Sequence, residues 1–558
     1  MTGVRRRSFM KLAGAAGVAA GAAGVASALA PAGRAAAMPW PPGSGTAGSL
    51  RQQVHMSGPA SPGMDSFDDT MVSFMEDRRI TSGSLAVTTG GRLVKATGYS
   101  VNYGLQEPEP WQLIQPSTLF RVASISKPIT ATAISRLAQD GRLDLNQPIG
   151  QLVDLTPPPG QTADSRLAQT TIRRVLQHLG GFGDPTVTGF DPMLADRTIS
   201  QFFGTPLPVS QQQIIEYNSG RPLTHAPGTA YGYSNYGYML LGRVIEAITG
   251  QSYGDYVQQA VLGPLGITDM RLGRTAADLA LPTESPYYDP KTAVTVLDPS
   301  GTIVPTPYGG EFNLENHNAN GGWLATAVDL VRFATIFDLP AGTNVLNQAS
   351  VTATFAKPET GVNADGWYYG YGWDVRPTAG GVGYNSWHNG ALDGTWTWLV
   401  RTYNGWSWAA LFNQRDDPSD PTGSTYSAID SALWTAADAV TSWPTGDLFP
   451  QYFSGPVGAV STPVGQLIAA QALGACNDLG ANVTVTVTAG MPSTSYTVNG
   501  GGISTPVTFR TGAKGNGSAV VTNVKPPVGW TGSAPITVSA AGKTGTVNAS
   551  IACADPRG

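Results

Sequence analysis

The stretch LFRVASISKPITATAISRLAQDGRLDL, residues 119–145, places two serines close to one lysine. In a helix of 3.6 residues per turn, residues three apart share a face, so Ser124 lies one turn before Lys127. Ser126 is rotated by about 100° from Lys127. Serine needs a nearby base to act as a nucleophile, which makes Ser124 the candidate nucleophile and Lys127 its activator. A capped, polar helix start would explain the same residues without any chemistry.

Pro128 limits where this helix begins, because proline is tolerated in a first turn but not in a helix interior. The Ser124 hydroxyl is therefore predicted at the helix N-terminus, where backbone N–H groups and the helix dipole favour negative charge. An S-x-x-K pattern is common by chance, so its flanking sequence and later motifs decide its meaning.

Two later motifs complete a pattern. Tyr233-Ser234-Asn235 lies in APGTAYGYSNYGYMLLGRVIE, before an apolar helix, and His388-Asn389-Gly390 precedes the predicted strand TWTWLV. Together with FRVASISKPITA, they resemble the motifs of the serine β-lactamase and penicillin-binding-protein superfamily. The resemblance is to its class C β-lactamase, esterase and D-aminopeptidase branch, and it covers roughly residues 66 to 445.

The resemblance implies roles for the first two motifs. Ser124 would form a covalent acyl ester, which is then hydrolysed, without a metal or organic cofactor. Either Lys127 or Tyr233 would be the general base, and the sequence leaves that choice open. Asn235 would hold Lys127 and the substrate amide in place.

The third motif carries the substrate-binding roles. His388 would stand where a K-T-G lysine stands, orienting the substrate or Tyr233. The oxyanion hole would be the backbone N–H of Ser124 and that of Ala391, just after Gly390.

Histidine in place of that lysine removes a permanent positive charge. This weakens the case for a β-lactamase or DD-peptidase proper and leaves an ester, an amide or a D-amino-acid-containing peptide as substrate. A non-catalytic wall-binding or penicillin-binding sensor is the alternative outside enzymology. Four tryptophans are expected to form an apolar, aromatic cleft: Trp323, Trp373, Trp387 and Trp396.

Other patterns are interpreted as unrelated to the site. Lys543-Thr544-Gly545 spells K-T-G but lies in the tail, where it is predicted to be a chance turn. Gly250-Gln251-Ser252-Tyr253-Gly254 matches G-x-S-x-G, but a helix rather than a strand precedes it, and Gly250 suits a helix C-cap. Three histidines are interpreted as structural: His178, His225 and His317.

The surrounding elements predict an α+β fold. An amphipathic helix, a hairpin turning at Gly90-Gly91, a long helical stretch, three further strands and a last helix follow in order. This order is typical of a β-lactamase/transpeptidase-like antiparallel sheet flanked by helices, with an inserted helical subdomain. Past Pro450, short Thr- and Val-rich alternating segments predict a C-terminal all-β sandwich.

The predicted organisation is as follows: 1–37 a Tat-type signal peptide, 38–65 a linker, 66–448 the hydrolase domain, 449–465 a linker, and 466–558 the sandwich. The signal rests on RRRSFMK followed by an Ala/Gly-rich apolar run. It predicts a secreted protein that has no membrane segment after cleavage, with a disulfide between Cys476 and Cys553.

The net charge of -5 argues against nucleic acid as a partner. Partners are therefore predicted to be small-molecule or peptide substrates, with cell-wall material among the options.

Overall fold

The structure is a computed structural model. It describes residues 54–101, 113–338, 345–378, 381, 383–415, 424–453, 466–477, 480–488, 495–500, 506–510, 517–524, 531–540 and 543–552. The described residues before Pro450, apart from Pro264–Gly266, form one compact unit, and those from Pro450 onward belong to a second. The predicted signal peptide and Cys553 lie outside the described residues, so the export signal and the disulfide stay predictions.

The α-helices are α1 Asp65–Arg78, α2 Ser126–Gln139, α3 Ile172–Leu176, α4 Pro185–Thr188, α5 Asp196–Phe203, α6 Gln211–Ser219, α7 Asn235–Thr249, α8 Tyr253–Val257, α9 Ala327–Ala334, α10 Gln348–Thr354, α11 Ala428–Ala439 and α12 Phe449–Tyr452. Within the described residues, no helix is both long and apolar enough to cross a membrane.

The strands of the first unit are β1 Val54–Ser57, β2 Ser82–Thr89, β3 Arg92–Val101, β4 Phe120–Arg121, β5 Arg271–Leu272, β6 Thr292–Val294, β7 Ile303–Pro305, β8 Trp323–Ala325, β9 Tyr368–Tyr369, β10 Asp374–Pro377, β11 Tyr384–Leu392, β12 Thr395–Arg401 and β13 Trp406–Phe412. Those of the second are β14 Gln466–Asn477, β15 Gly480–Thr488, β16 Ser495–Gly500, β17 Val507–Arg510, β18 Gly517–Val524, β19 Thr531–Ala540 and β20 Lys543–Ala552.

An eight-stranded antiparallel sheet organises the first unit, in the order β1-β3-β2-β13-β12-β11-β10-β9. Strands that are far apart in the sequence are neighbours in the centre of this sheet, because β2 pairs with β13. The hairpin of β2 and β3 turns at Gly90-Gly91, whose φ angles of 54° and 76° suit glycine. The predicted α+β class is confirmed.

Both faces of the sheet are buried. One face packs against α1 and α11, with Phe67 and Met71 from α1 and Leu433 from α11 in the same apolar cluster. On the other side of β13, Ala409 and Leu411 are fully buried, and α9 packs against β13 and β2. A sheet covered on both faces gives the site a rigid wall.

Helix α2 connects the sheet to the helical insertion. Eleven of its residues are buried, and the helix contacts α7, α8 and α10. The short 3₁₀ helix Ala123–Ile125, just before α2, packs against β11 and β12. The first turn of α2 therefore lies where the sheet and the helical insertion meet.

Two boundary predictions need correction. The linker predicted over 38–65 is wrong at Val54–Ser57, which forms β1 and pairs with β3. A strand edge offers free N–H and C=O groups to any extended segment, so a short strand needs no strong sequence pattern of its own. The second predicted linker begins with a short helix, α12.

The second unit contains two sheets, β14-β15-β18 and β17-β16-β19-β20. Alternate residues of β15, among them Val483 and Val485, are fully buried in one apolar cluster with Val538 of β19. This is the predicted β-sandwich. Lys543-Thr544-Gly545 is not a turn, because these residues start β20 and pair with β19.

Candidate active site

Ser124 lies in the 3₁₀ helix that leads into α2, and its side chain is partly exposed. The residue before it, Ala123, has a φ of 46°, a left-handed conformation that non-glycine residues seldom adopt. Such a backbone costs on the order of 1–3 kcal/mol and persists only where the surroundings fix it.

Strands β11 and β12 fix this turn. Thr397 Oγ1 donates to the Val122 carbonyl at 3.0 Å, and Thr395 Oγ1 donates to the Arg121 carbonyl at 3.0 Å. Gly390 packs so closely that a Cβ atom there would lie 2.2 Å from Val122 O. The glycine of the third motif is therefore needed for the close approach of the sheet to the turn before Ser124.

Lys127 is fully buried one helical turn beyond Ser124. Its Nζ lies 2.9 Å from Ser124 Oγ, 2.8 Å from Asn235 Oδ1 and 2.9 Å from the backbone oxygen of Asn320. Lys127 thus contacts both Ser124 and Asn235, the two residues with which the resemblance pairs it.

The partners of Lys127 suit a neutral amine. Two of them, Asn235 Oδ1 and Asn320 O, can only accept, and a neutral amine has two N–H groups for them. In that neutral form the remaining lone pair can accept from the Ser124 hydroxyl, whereas the ammonium form donates to Ser124 Oγ instead. Burial lowers the pKa of Lys127 well below its usual value, and the nearby carboxylate of Asp191 opposes this shift.

Asp191 was not singled out from the sequence. Its carboxylate is buried and accepts a 2.7 Å hydrogen bond from Asn235 Nδ2. Because a carboxylate can only accept, this bond fixes the Asn235 amide with Oδ1 toward Lys127. Behind it, His317 Nδ1 lies 2.8 Å from Asn320 Oδ1, so this histidine supports the loop that binds Lys127, in keeping with its structural interpretation.

Tyr233 completes the contacts of the nucleophile. Its hydroxyl donates to Ser124 Oγ at 2.7 Å, and Lys127 Nζ lies 4.7 Å from the centre of its ring. Burial raises the pKa of Tyr233 well above the usual value, so the phenol is protonated at ordinary pH. Ser124 Oγ therefore lies between a neutral phenol and a buried amine.

His388 lies on β11, two residues before Gly390, and is buried. Its Nδ1 lies 2.6 Å from the backbone oxygen of Asn389, so Nδ1 carries the proton and Nε2 accepts from the Tyr369 hydroxyl at 2.8 Å. Burial lowers the pKa of His388 to about 3, and a positive charge on Lys127 would act in the same direction. Of the two predicted roles of His388, the one toward Tyr233 has no direct contact behind it, because its side-chain partner is Tyr369; the role toward the substrate stays a prediction.

The predicted tryptophan cleft is wrong. Trp323 and Trp373 are core residues, 1% and 0% exposed, while Trp387 and Trp396 pack in the apolar cluster beneath α1 and α11. Alternation along a strand shows which residues share a face, but not which face borders the site.

Different aromatic residues surround Tyr233. Tyr231 is 38% exposed, and its ring centre lies 5.7 Å from that of Trp367 and 6.2 Å from that of Tyr369. Tyr231 and Trp367, which are exposed and partly exposed, form an aromatic rim, whereas Tyr369 is 2% exposed and belongs to the core next to it.

The G-x-S-x-G segment has no place in this site. Ser252 is exposed and caps α8, because its Oγ accepts from the Asp255 backbone N–H at 3.2 Å. Gly250 ends α7 with a φ of 69°, as the interpretation as a C-cap predicts.

Comparison with known proteins identifies the family. The sequence pattern of the Beta-lactamase family matches residues 67–432, which is more than half of the chain. The chain belongs to the Beta-lactamase family. This match confirms the resemblance predicted from the three motifs, and places the chain in a hydrolase family with a β-lactamase fold.

Relatives within the Beta-lactamase family are diverse. The chain is 27% identical over 328 residues to penicillin-binding protein 4 of Amycolatopsis lactamdurans, covering 57% of this chain and 74% of that protein. It is 30% identical over 196 residues to esterase EstB of Burkholderia gladioli, covering 35% of this chain and only 48% of the esterase. The D-amino acid amidase from Ochrobactrum anthropi SV3, solved with D-phenylalanine, aligns with 67% of this chain and 99% of its own at 21% identity and a TM-score of 0.49.

Proposed function

We propose that this protein is a secreted serine hydrolase that acts by acyl transfer through a covalent acyl-Ser124 intermediate. The observation that carries the proposal is the pair of contacts at Ser124 Oγ, from Lys127 Nζ at 2.9 Å and from the Tyr233 hydroxyl at 2.7 Å. An activated serine needs a base within hydrogen-bonding distance, and these contacts supply a base and a proton donor.

In the proposed mechanism, neutral Lys127 takes the Ser124 proton as Oγ attacks the substrate carbonyl carbon. The backbone N–H groups of Ser124 and Ala391 stabilise the negative charge on the carbonyl oxygen. Tyr233 gives its proton to the leaving group, and Lys127 then returns the proton it took from Ser124 to Tyr233, which restores both side chains. Water then hydrolyses the ester by the reverse sequence of proton transfers, which regenerates Ser124.

The substrate class follows from the surroundings of the nucleophile. His388 is neutral near pH 7, so it lacks the fixed positive charge that would bind a substrate carboxylate. The aromatic rim of Tyr231 and Trp367 suits an apolar group on the substrate. We therefore propose esters, amides or D-amino-acid-containing peptides with an apolar side group. The similarity to an esterase supports ester substrates.

Export remains part of the proposal. The paired arginines Arg5 and Arg6, followed by an apolar Ala/Gly-rich run, support transport by the Tat route. Cell-wall peptides are then among the substrates that the protein would meet.

The proposal is tested by intact-protein mass spectrometry after incubation with a fluorophosphonate and, separately, with a penicillin. We expect a single fluorophosphonate adduct that maps to Ser124 and is absent from Ser124→Ala. The matched control is Ser252→Ala, which removes an exposed serine in a G-x-S-x-G segment and should label like the wild type. Folded wild-type protein that gains no adduct with either probe would instead support the non-catalytic wall-binding protein. A long-lived penicillin adduct would favour penicillin recognition.

A further inference from the structure

His178 follows α3 and is almost fully buried, with 2% of its surface exposed. Its backbone φ is 56°, in the left-handed region. A bulky residue adopts this conformation only where other contacts outweigh the strain. The sequence analysis interprets His178 as structural, and the structure places its contacts around Tyr233.

Three consecutive backbone N–H groups around Tyr233 are bound by the segment that starts at His178. The Gly232 N–H donates to the His178 carbonyl at 2.9 Å, and the Ser234 N–H donates to His178 Nδ1 at 3.1 Å. Between them, the Tyr233 N–H donates to Asp184 Oδ2 at 3.3 Å. One residue thus holds the peptide groups on both sides of Tyr233.

The imidazole also packs against the Tyr233 side chain. The ring centres of His178 and Tyr233 are 4.5 Å apart, and the ring centre of Tyr369 lies 4.4 Å from that of His178. Because Ser234 donates to Nδ1, the ring proton must be on Nε2, which has no hydrogen-bond partner among the described residues. The polar contribution of this side chain therefore comes from Nδ1 alone.

Burial favours the same neutral form. It lowers the pKa of His178 well below the usual value, and a proton taken up by Lys127 or His388 would act in the same direction. A group that stays neutral and keeps Nδ1 bonded to the backbone is suited to hold a neighbour in place rather than to exchange protons.

We propose that His178 is a positioning residue that sets the distance between the Tyr233 hydroxyl and Ser124 Oγ. This inference rests on the proposed function, because it assigns His178 an effect on acylation that acts through Tyr233. Displacing a reacting group by about 1 Å can lower a rate by about 10²-fold.

The chain allows a matched pair of variants. In His178→Asn, the amide oxygen lies near the position of Nδ1, and asparagine tolerates a positive φ. In His178→Gln, the amide lies one carbon further out, near the position of Nε2, and the acceptor for the Ser234 N–H is lost. Both variants are polar, so they separate this one hydrogen bond from general polarity. If the glutamine variant does not fold, His178→Gly removes the same acceptor and keeps the backbone conformation.

The first readout is the kinetics of Ser124 labelling by a fluorophosphonate. We expect the maximal labelling rate to fall about 10²-fold in His178→Gln, with the half-saturating probe concentration unchanged, and to fall less than about threefold in His178→Asn. In a Tyr233→Phe background, His178→Gln should add little, because the hydroxyl it positions is gone. Equal losses in the two His178 variants, or a full further loss in the Tyr233→Phe background, would overturn the proposal.

The second readout does not depend on activity. Crystal structures should show Tyr233 Oη within hydrogen-bonding distance of Ser124 Oγ in the wild type and in His178→Asn, and displaced in His178→Gln. If Tyr233 keeps its place in the glutamine variant, the proposal is wrong. If the wild type does not label at all, the proposed function fails, and this distance still decides whether His178 positions Tyr233.

Discussion

A Lys127→Met variant is expected to fold but to label Ser124 with a fluorophosphonate about 10⁴-fold more slowly than the wild type, the upper range for loss of a general base. Methionine keeps the length of the side chain and removes the lone pair that faces Ser124 Oγ. Tyr233 cannot replace it, because burial raises the pKa of its phenol and keeps the proton on the oxygen.

The pH dependence of labelling provides a second test of Lys127. Only the neutral amine can accept the Ser124 proton, so the wild-type rate should fall as the pH falls through the lowered pKa of Lys127. That pH dependence should be absent from Lys127→Met. A variant that labels at the wild-type rate, or that keeps the same pH profile, would show that another group is the base.

Stability should change in the opposite direction from activity. The folded pKa of Lys127 lies below the unfolded value of about 10.4, so folding favours loss of the proton. The free energy of unfolding is therefore lowered by the full amount at pH values below the folded pKa of Lys127, and it is not lowered at pH values above the unfolded pKa. Below the folded pKa, Lys127→Met should therefore unfold at an equal or higher temperature than the wild type, as followed by circular dichroism. A clear fall in melting temperature would mean that the slow labelling reports damage to the fold.

A Gly390→Ala variant is expected to lower the rate of Ser124 labelling by about 10²-fold and the free energy of unfolding by about 1–3 kcal/mol. The added Cβ would lie 2.2 Å from Val122 O and 2.3 Å from Thr397 Oγ1. To accept this Cβ, strand β11 must move away from the Val122 backbone. The Val122 peptide leads directly into the strained turn before Ser124, so that turn would be displaced as well.

The matched control is Gly446→Ala. A Cβ at Gly446 would have nothing within 4 Å, so the same chemical change is made in open space. Labelling kinetics and urea unfolding measured on both variants separate the close contact from the general effect of adding a methyl group. If Gly390→Ala labels like Gly446→Ala, the sheet does not hold the turn in place.

The nucleophile and its contacts were predictable because local geometry or a contiguous motif encodes them. Ser124 and Lys127 are three residues apart on a helix that Pro128 restricts to one starting region, so helical periodicity alone brings them together. Tyr233 and Asn235 are distant in sequence, and only the resemblance to a known family placed them near Ser124. The helix α1 and the hairpin at Gly90-Gly91 followed from periodicity and turn chemistry.

The parts that were missed depend on contacts between distant segments. Asp191 resembles an ordinary helix-capping aspartate, since its other oxygen accepts from the Met193 backbone N–H. Nothing near it in sequence indicates its bond to Asn235. His178 likewise bonds to backbone groups more than fifty residues away. The tryptophans were misplaced because burial alone does not distinguish a core residue from one that lines a cleft.

The segment from His178 to Asp184 has a consequence for how such a site can evolve. This segment binds backbone N–H groups on both sides of Tyr233. Those N–H groups would remain in place if the neighbouring side chains were changed. Substitutions at Asp184 would change turnover through the placement of the phenol, whereas those at His178 would also affect Tyr231 and Tyr369, whose ring centres lie 5.9 Å and 4.4 Å from its imidazole. Reaction speed could therefore be selected separately at Asp184, while a change at His178 would alter speed and substrate preference together.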